Sequence, residues 1–141
     1  MPSYATDPRC IAMAATLVPL LRRSCPKGAG GYGGYYQVNL GDEEAVGLGG
    51  VELIRAAMRK AARQLGWKVT TIGQASTRHC TVVAVQDTRE VPDAFRAVVS
   101  AAMNDKLRAA LHHAWDEPGP APDRTGSVPQ MTQEFRAAIA T

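Results

Sequence analysis

Apolar residues recur at helical spacing in one segment of this chain, and that spacing limits the folds available to it more than any other feature. Val51, Ile54, Met58, Ala61 and Leu65 follow one another at steps of three, four, three and four. This spacing is typical of the buried face of an α-helix. A glycine comes directly after the last of them, in a position that helix C-caps favour. The segment is therefore predicted to be a long amphipathic helix.

Three short runs of residues predict strands. Residues 67–72 and 80–85 are rich in β-branched side chains, and the polar stretch 73–79 between them contains one glycine, as a hairpin connection often does. Aromatic and apolar residues alternate over 35–40, which predicts a third strand. A small sheet of about three strands is therefore expected.

Two further helices are predicted on either side of these elements. The first begins at Asp7 and Pro8, and Pro19 should kink or end it, because proline lacks the amide hydrogen of the helical ladder. We expect a short, partly frayed helix that ends near Arg23. A second long amphipathic helix begins at Pro92. The predicted fold is α+β: a small antiparallel or mixed sheet packed against two long amphipathic helices, with an N-terminal helix and a flexible C-terminal tail.

The length of 141 residues suits one domain with a core of its own. From Asp116 to Pro129 the chain contains four prolines and two glycines and hardly any bulky apolar residue. This composition is typical of a linker or tail. We therefore assign residues 1–115 to a single α+β domain and residues 116–141 to a tail that ends in a short amphipathic segment.

Charge and cysteine content set the expected compartment and partners. Sixteen Lys and Arg against thirteen Asp and Glu give a net charge of +3, which permits a nucleic-acid partner without requiring one. Three cysteines do not form a disulfide framework in a chain of this size. The apolar stretch from Ile11 to Leu21 is shorter than the roughly 20 residues that cross a bilayer. We expect a cytoplasmic protein without a membrane partner.

A row of arginines is the most informative surface feature of the sequence. Arg55, Arg59 and Arg63 lie at i, i+4 and i+8 on the predicted outer side of the long helix, with Lys60 beside them. Like charges at this spacing repel, and only Glu52 is placed to compensate them. A polyanion lying along the row would relieve the repulsion and release counterions. Further basic residues could extend the row from the strands and their connections: Lys68, Arg78 and Arg89.

A loop rich in glycine and tyrosine precedes the first strand. Gly28, Gly30 and Gly33 match G-x-G-x-x-G, but a helix precedes the loop and a strand follows it, so the dinucleotide-binding interpretation is rejected. Two interpretations remain open. Either the loop's tyrosines stack on unpaired bases, namely Tyr32, Tyr35 and Tyr36, or the loop is simply a mobile connection. No motif in the sequence specifies an enzyme, a cofactor or a metal site.

The segment from Leu53 to Met103, about a third of the chain, resembles HicA-type toxins in outline. The shared features are Gly66-Trp67 after a helix and the step from Arg89 to Pro92 into the next helix. The resemblance implies a ribonuclease with a double-stranded-RNA-binding-like fold and His79 as its catalytic residue. In this chain Gly73, Ser76 and His79 are separated, whereas the family joins Gly, Ser and His in one turn.

Three functional hypotheses follow from these features. The first is a small nucleic-acid-associated accessory or regulatory protein, without catalysis of its own, whose basic helix face contacts phosphates. The alternative is a structural or protein-interaction module within a homo- or hetero-oligomeric assembly. Its partner-binding residues would be Met131, Phe135 and Ile139, whose spacing by four suits a helix that docks into a groove. The third is a HicA-like ribonuclease centred on His79.

Overall fold

The computed structural model describes residues 4–75, 80–102, 104 and 127–140. After a short 3-10 turn the elements are α1 (Pro8–Ser24), β1 (Tyr35–Leu40), α2 (Asp42–Gly47), α3 (Val51–Gln64), β2 (Val69–Gln74), β3 (Thr81–Asp87), α4 (described over 93–102) and α5 (Ser127–Ile139). The predicted α+β class is confirmed, with a three-stranded antiparallel sheet.

The sheet has the order β1-β3-β2, so β3 is central and pairs antiparallel with both neighbours. Alternate residues of β1 are buried, as period-2 patterning requires. Tyr36, Val38 and Leu40 join Val83 and Val85 of β3 in the core. This side of the sheet therefore faces the helices.

The helix predicted from apolar spacing is α3, and its buried face is wider than the spacing indicated. Leu53 and Ala57 are buried as well as the predicted Ile54 and Met58. The helix ends at Gln64 and is followed by Gly66, where φ is +79°, and the amide of Trp67 donates to the carbonyl of residue 62 at 3.0 Å. This is a Schellman cap, which needs a left-handed residue that glycine supplies at little cost.

Helix α1 packs against α3 and runs through Pro19 to Ser24, so the predicted end near Arg23 is confirmed to within one residue and the helix does not end at the proline. Pro19 and Ala15 both lie on the exposed side of the helix. The carbonyl of Ala15, which loses its helical donor at Pro19, is therefore on the side where water can satisfy it. Leu17, Leu20 and Leu21 hold the same turns in the core.

Helix α5 is part of the domain core. Phe135 is 0% exposed, and Met131 and Ile139 pack against the core cluster. The hydroxyl of Tyr36 donates to the carbonyl of Met131 at 2.8 Å, and Thr132 Oγ1 accepts from the amide of Asn39 at 3.0 Å. The amphipathic segment that the sequence assigned to the tail thus covers the outer edge of β1. The proposed boundary at residue 115 lies outside the described residues.

Candidate nucleic-acid interface

The arginine row of α3 lies along the seam between α3 and β2. The Nε of Arg55 donates to Thr71 Oγ1 at 3.1 Å, and the same oxygen accepts from Nη1 of Arg59 at 3.3 Å. A second guanidinium nitrogen of Arg55 donates to the carbonyl of Thr71 at 3.4 Å. The row was expected on the outer side of the helix. Its first two members instead turn sideways onto the edge strand.

A glycine in β2 makes this geometry possible. A Cβ at position 73 would overlap Cδ of Arg55 and a methyl of Val51. With glycine there, the aliphatic stem of Arg55 lies across the strand and its guanidinium reaches Thr71. The Arg55 side chain is 28% exposed as a result. Neither Gly73 nor Thr71 was identified from the sequence as part of the surface. A glycine within a β-branched run, which often marks a close approach, is the signal that could have found them.

The arginines differ in whether a carboxylate neutralises their charge. Four arginines elsewhere have a carboxylate of their own: Arg9 with Asp7, Arg89 with Asp87, Arg96 with Asp93 and Arg136 with Glu44. Arg22 and Arg23, in the last turn of α1, form no ion pair with any described residue. In the α3 row, Glu52 forms an ion pair with Arg55 at 3.1 Å, and no other described carboxylate pairs with the row. Arg59 has the Thr71 hydroxyl as its partner, and Arg63 forms no hydrogen bond or ion pair with any described residue.

The remaining basic residues of the prediction fall at different places. Lys68 precedes β2 and is exposed, without a side-chain partner in the described ranges. Lys60 is half-buried. Burial raises the pKa of the Cys10 thiol on α1, and the nearby charges of Lys60 and Arg59 oppose the shift. Arg78 lies outside the described residues. The seam thus brings together Arg55 and Arg59 and continues towards Arg63 and Lys68.

The loop that contains Tyr32 is held in place by contacts within the chain. The ring of Tyr32 stacks on Phe95 of α4 with centroids 6.0 Å apart, and the guanidinium of Arg89 lies 4.3 Å from the Tyr32 centroid. Arg89 also donates to the carbonyl of Gly31 at 2.6 Å. Because these contacts occupy the Tyr32 ring, base stacking by this residue would require it to leave them.

Tyr35 is the first residue of β1, on the sheet face opposite α1 and α3. Its hydroxyl hydrogen-bonds to the side chain of Gln37, which in turn donates to Asn39 at 3.0 Å. Burial raises the pKa of Tyr35 above its ordinary value. Stacking on bases by Tyr32 or Tyr35 stays a prediction. Tyr36 is 1% exposed and lies in the core, so it is not available to stack on a base.

The other predicted site residues divide into two groups. The predicted partner-binding residues pack against the core of their own chain: Met131, Phe135 and Ile139. Docking to a partner through them stays a prediction, and these side chains would first have to leave the core. His79 lies outside the described residues, and the ribonuclease hypothesis stays a prediction. Within the described ranges, no three His, Cys, Asp or Glu side chains are grouped as metal ligands.

A cavity of about 300 Å³ lies at the other end of α3, away from Arg63 and Lys68. Its wall combines apolar side chains, among them Tyr4 and Val51, with the carboxylates of Asp42 and Glu52. Asp42 accepts a hydrogen bond from the Thr81 hydroxyl at 2.6 Å. The acidic groups here make the cavity unsuited to phosphate and leave the α3–β2 seam as the anion-binding candidate.

Comparison with family models, curated proteins and solved structures finds no match to this chain. In the part of the chain that the structure describes, no helix combines the length and apolarity needed to cross a bilayer.

Proposed function

We propose that the chain binds nucleic acid through phosphate contacts along the seam formed by α3 and β2. One observation carries the proposal: Arg55 and Arg59 donate to the same oxygen, Thr71 Oγ1, while Glu52 supplies the ion-paired carboxylate of the seam. Nucleic acid is a polyanion whose affinity for proteins comes largely from such neutralisation.

The electrostatics of the seam favour an added anion. Two unit positive charges about 6 Å apart repel by about 0.7 kcal/mol in bulk water and by several times more at a partly buried site. A phosphate beside the two guanidinium groups would turn that repulsion into attraction. Guanidinium groups also match phosphate oxygens in a bidentate arrangement, which ammonium groups do not.

The residues have distinct roles in this proposal. Arg59, Arg63 and Lys68 contact phosphates, because no carboxylate of the described part pairs with them. Arg55 is a positioning residue, since it is already bound to Glu52 and Thr71 and holds positive charge beside Arg59. Contacts of this kind give affinity and salt dependence without sequence preference.

The test is a titration of fluorescent single-stranded and duplex oligonucleotides at several salt concentrations. Three phosphate contacts predict that log K falls with log salt at a slope of about −2 for single strands and about −2.7 for duplex. Replacing Arg59 and Arg63 together by Ala should lower the affinity and reduce the slope by about 1.4 to 1.8.

Arg9→Ala with Arg96→Ala is the matched control, because it removes the same charge from two exposed arginines that already have carboxylates. Equal losses in the two double variants would show a nonspecific effect of net charge and contradict the proposal. Absence of salt-sensitive binding in the unmodified protein would contradict it too.

A further inference from the structure

The two edges of the sheet differ in whether a described helix covers them. At the β1 edge the amide of Asn39 donates to Thr132 of α5, so this amide points away from β3. Hydrogen-bonded and non-bonded pairs alternate along an antiparallel ladder. With the observed registers, residues 82, 84 and 86 of β3 then bond to 74, 72 and 70 of β2. The backbone groups of Val69, Thr71 and Gly73 consequently point outwards, along the edge of β2 that does not pair with β3.

An independent contact supports this assignment. The carbonyl of Thr71 accepts from Arg55, which lies outside the sheet. Apart from that bond, the outward amides and carbonyls of Val69, Thr71 and Gly73 have no partner among the described residues. No described helix covers this edge in the way that α5 covers β1. Such an edge is a template for one more strand.

The side chains flanking the edge define which strand would fit. On the helix side, Arg55 and Arg59 lie at the middle of β2. On the opposite side Ile72 is 54% exposed between Thr70 and Gln74, and none of these three is charged. Side chains of an added strand alternate between the two sides. An added strand would therefore fit best with carboxylates on the helix side and apolar, β-branched residues on the other side.

We infer that the β2 edge binds an extended protein segment in which acidic residues alternate with β-branched apolar ones. The added strand would take its main-chain hydrogen bonds from Val69, Thr71 and Gly73, place its carboxylates at Arg55 and Arg59, and pack its apolar residues on Ile72. The inference goes beyond the proposed function and does not depend on it. Because both ligands use Arg59, the acidic segment and nucleic acid would exclude one another.

A second copy of the chain is a poor occupant of this edge. Its own edge strand, residues 69–74, contains no Asp or Glu. Pairing two β2 strands would also bring two arginine seams together, and like charges across neighbouring strands are destabilising. Arginines beside an edge strand are in fact one way in which proteins prevent such self-pairing.

The test is amide hydrogen exchange of the full chain with a synthetic peptide of about six alternating Glu and Val residues, close to the usual length of a strand. Exchange at Val69, Thr71 and Gly73 should slow by about tenfold or more at saturation. Exchange at Thr70, Ile72 and Gln74, whose amides already bond to β3, should not change. Arg59→Ala should weaken binding of the peptide. Arg9→Ala, which removes an exposed arginine that is already paired with Asp7, should leave peptide binding unchanged.

A block peptide with the same residues, all Glu followed by all Val, is the control for charge alone. Equal slowing by the two peptides, or no slowing by the alternating one, would overturn the inference. If exchange at the same amides slows when the protein concentration is raised without peptide, the edge pairs with a second copy of the chain. That result would contradict the inference that an acidic segment binds there. An oligonucleotide that binds without slowing these amides would support the proposed function, whatever the peptide does.

Discussion

Arg55 and Gly73 fit together across the interface between α3 and β2. The arginine stem occupies the space that any side chain at position 73 would need, and its guanidinium is thereby brought to Thr71. The position of the cationic seam therefore depends on a residue that has no side chain. This dependence can be tested apart from any ligand.

Gly73→Ala should lower the free energy of unfolding by about 1–3 kcal/mol, because the added methyl forces Arg55 or Val51 to move. Urea denaturation measures the change. Gly47→Ala is the matched control: a methyl there meets no atom within 4 Å, and alanine is the better helix former by up to about 1 kcal/mol. Equal stability of the Gly73→Ala variant and the unmodified protein would contradict the close fit.

Phe135→Ala should destabilise the domain by about 3–5 kcal/mol, because Phe135 is among the largest fully buried side chains of the core. Denaturant titration of the full chain measures the loss. Gln133→Ala, on the exposed side of the same helix, should change stability by less than about 0.5 kcal/mol. A small effect at Phe135 would mean that α5 is not held by the core in solution.

Asp87→Asn should cost about 1.5–3 kcal/mol. The Asp87 side chain is 1% exposed and accepts from two guanidinium nitrogens of Arg89, at 3.0 and 2.8 Å. An amide keeps one acceptor oxygen and turns a donor towards the arginine. The variant should also speed amide exchange at Tyr32, because Arg89 holds that loop. Asp93→Asn, in an exposed pair with Arg96, serves as the control and should be nearly neutral.

The pair between Glu44 and Arg136 should make stability depend on pH in a defined window. The hydrogen bond from Arg136 holds the pKa of Glu44 below its ordinary value of 4.5. A carboxylate with a lowered folded pKa stabilises the protein fully above its unfolded pKa, and the contribution is lost as the pH falls through the folded pKa. Both side chains are partly exposed, so the contribution is about 0.2–1 kcal/mol.

Glu44→Gln should therefore be less stable than the unmodified protein at pH 7. The difference should shrink as the pH falls below 4.5 and vanish once the pH is below the lowered pKa of Glu44 in the folded protein. Thermal unfolding at a series of pH values measures it. Glu43→Gln, which alters an exposed neighbour without an ion pair in the described part, is the control. A constant difference between the Glu44→Gln variant and the unmodified protein at every pH would exclude the ion pair as its source.

The sequence predicted the elements of the fold better than the site. Apolar spacing located α3, and alternation located β1 at its observed bounds, because both signals are local. Strand β2 extends to Gln74, beyond the predicted end at residue 72, since pairing with β3 continues through Gly73. Met131, Phe135 and Ile139 were recognised as an apolar stripe, yet their partner, the β1 edge, is more than ninety residues away in sequence.

By itself, the sequence determined which residues share a helix face or a strand, because helical and extended backbones impose periods of 3.6 and 2. It therefore placed Arg55, Arg59 and Arg63 in one row. Only the tertiary structure decided that β2 lies beside the row, that Thr71 receives two of its guanidinium groups, and that a helix covers the β1 edge while no described element covers the β2 edge. These outcomes depend on which elements pack together, and that is set by burial of the whole core rather than by any local pattern.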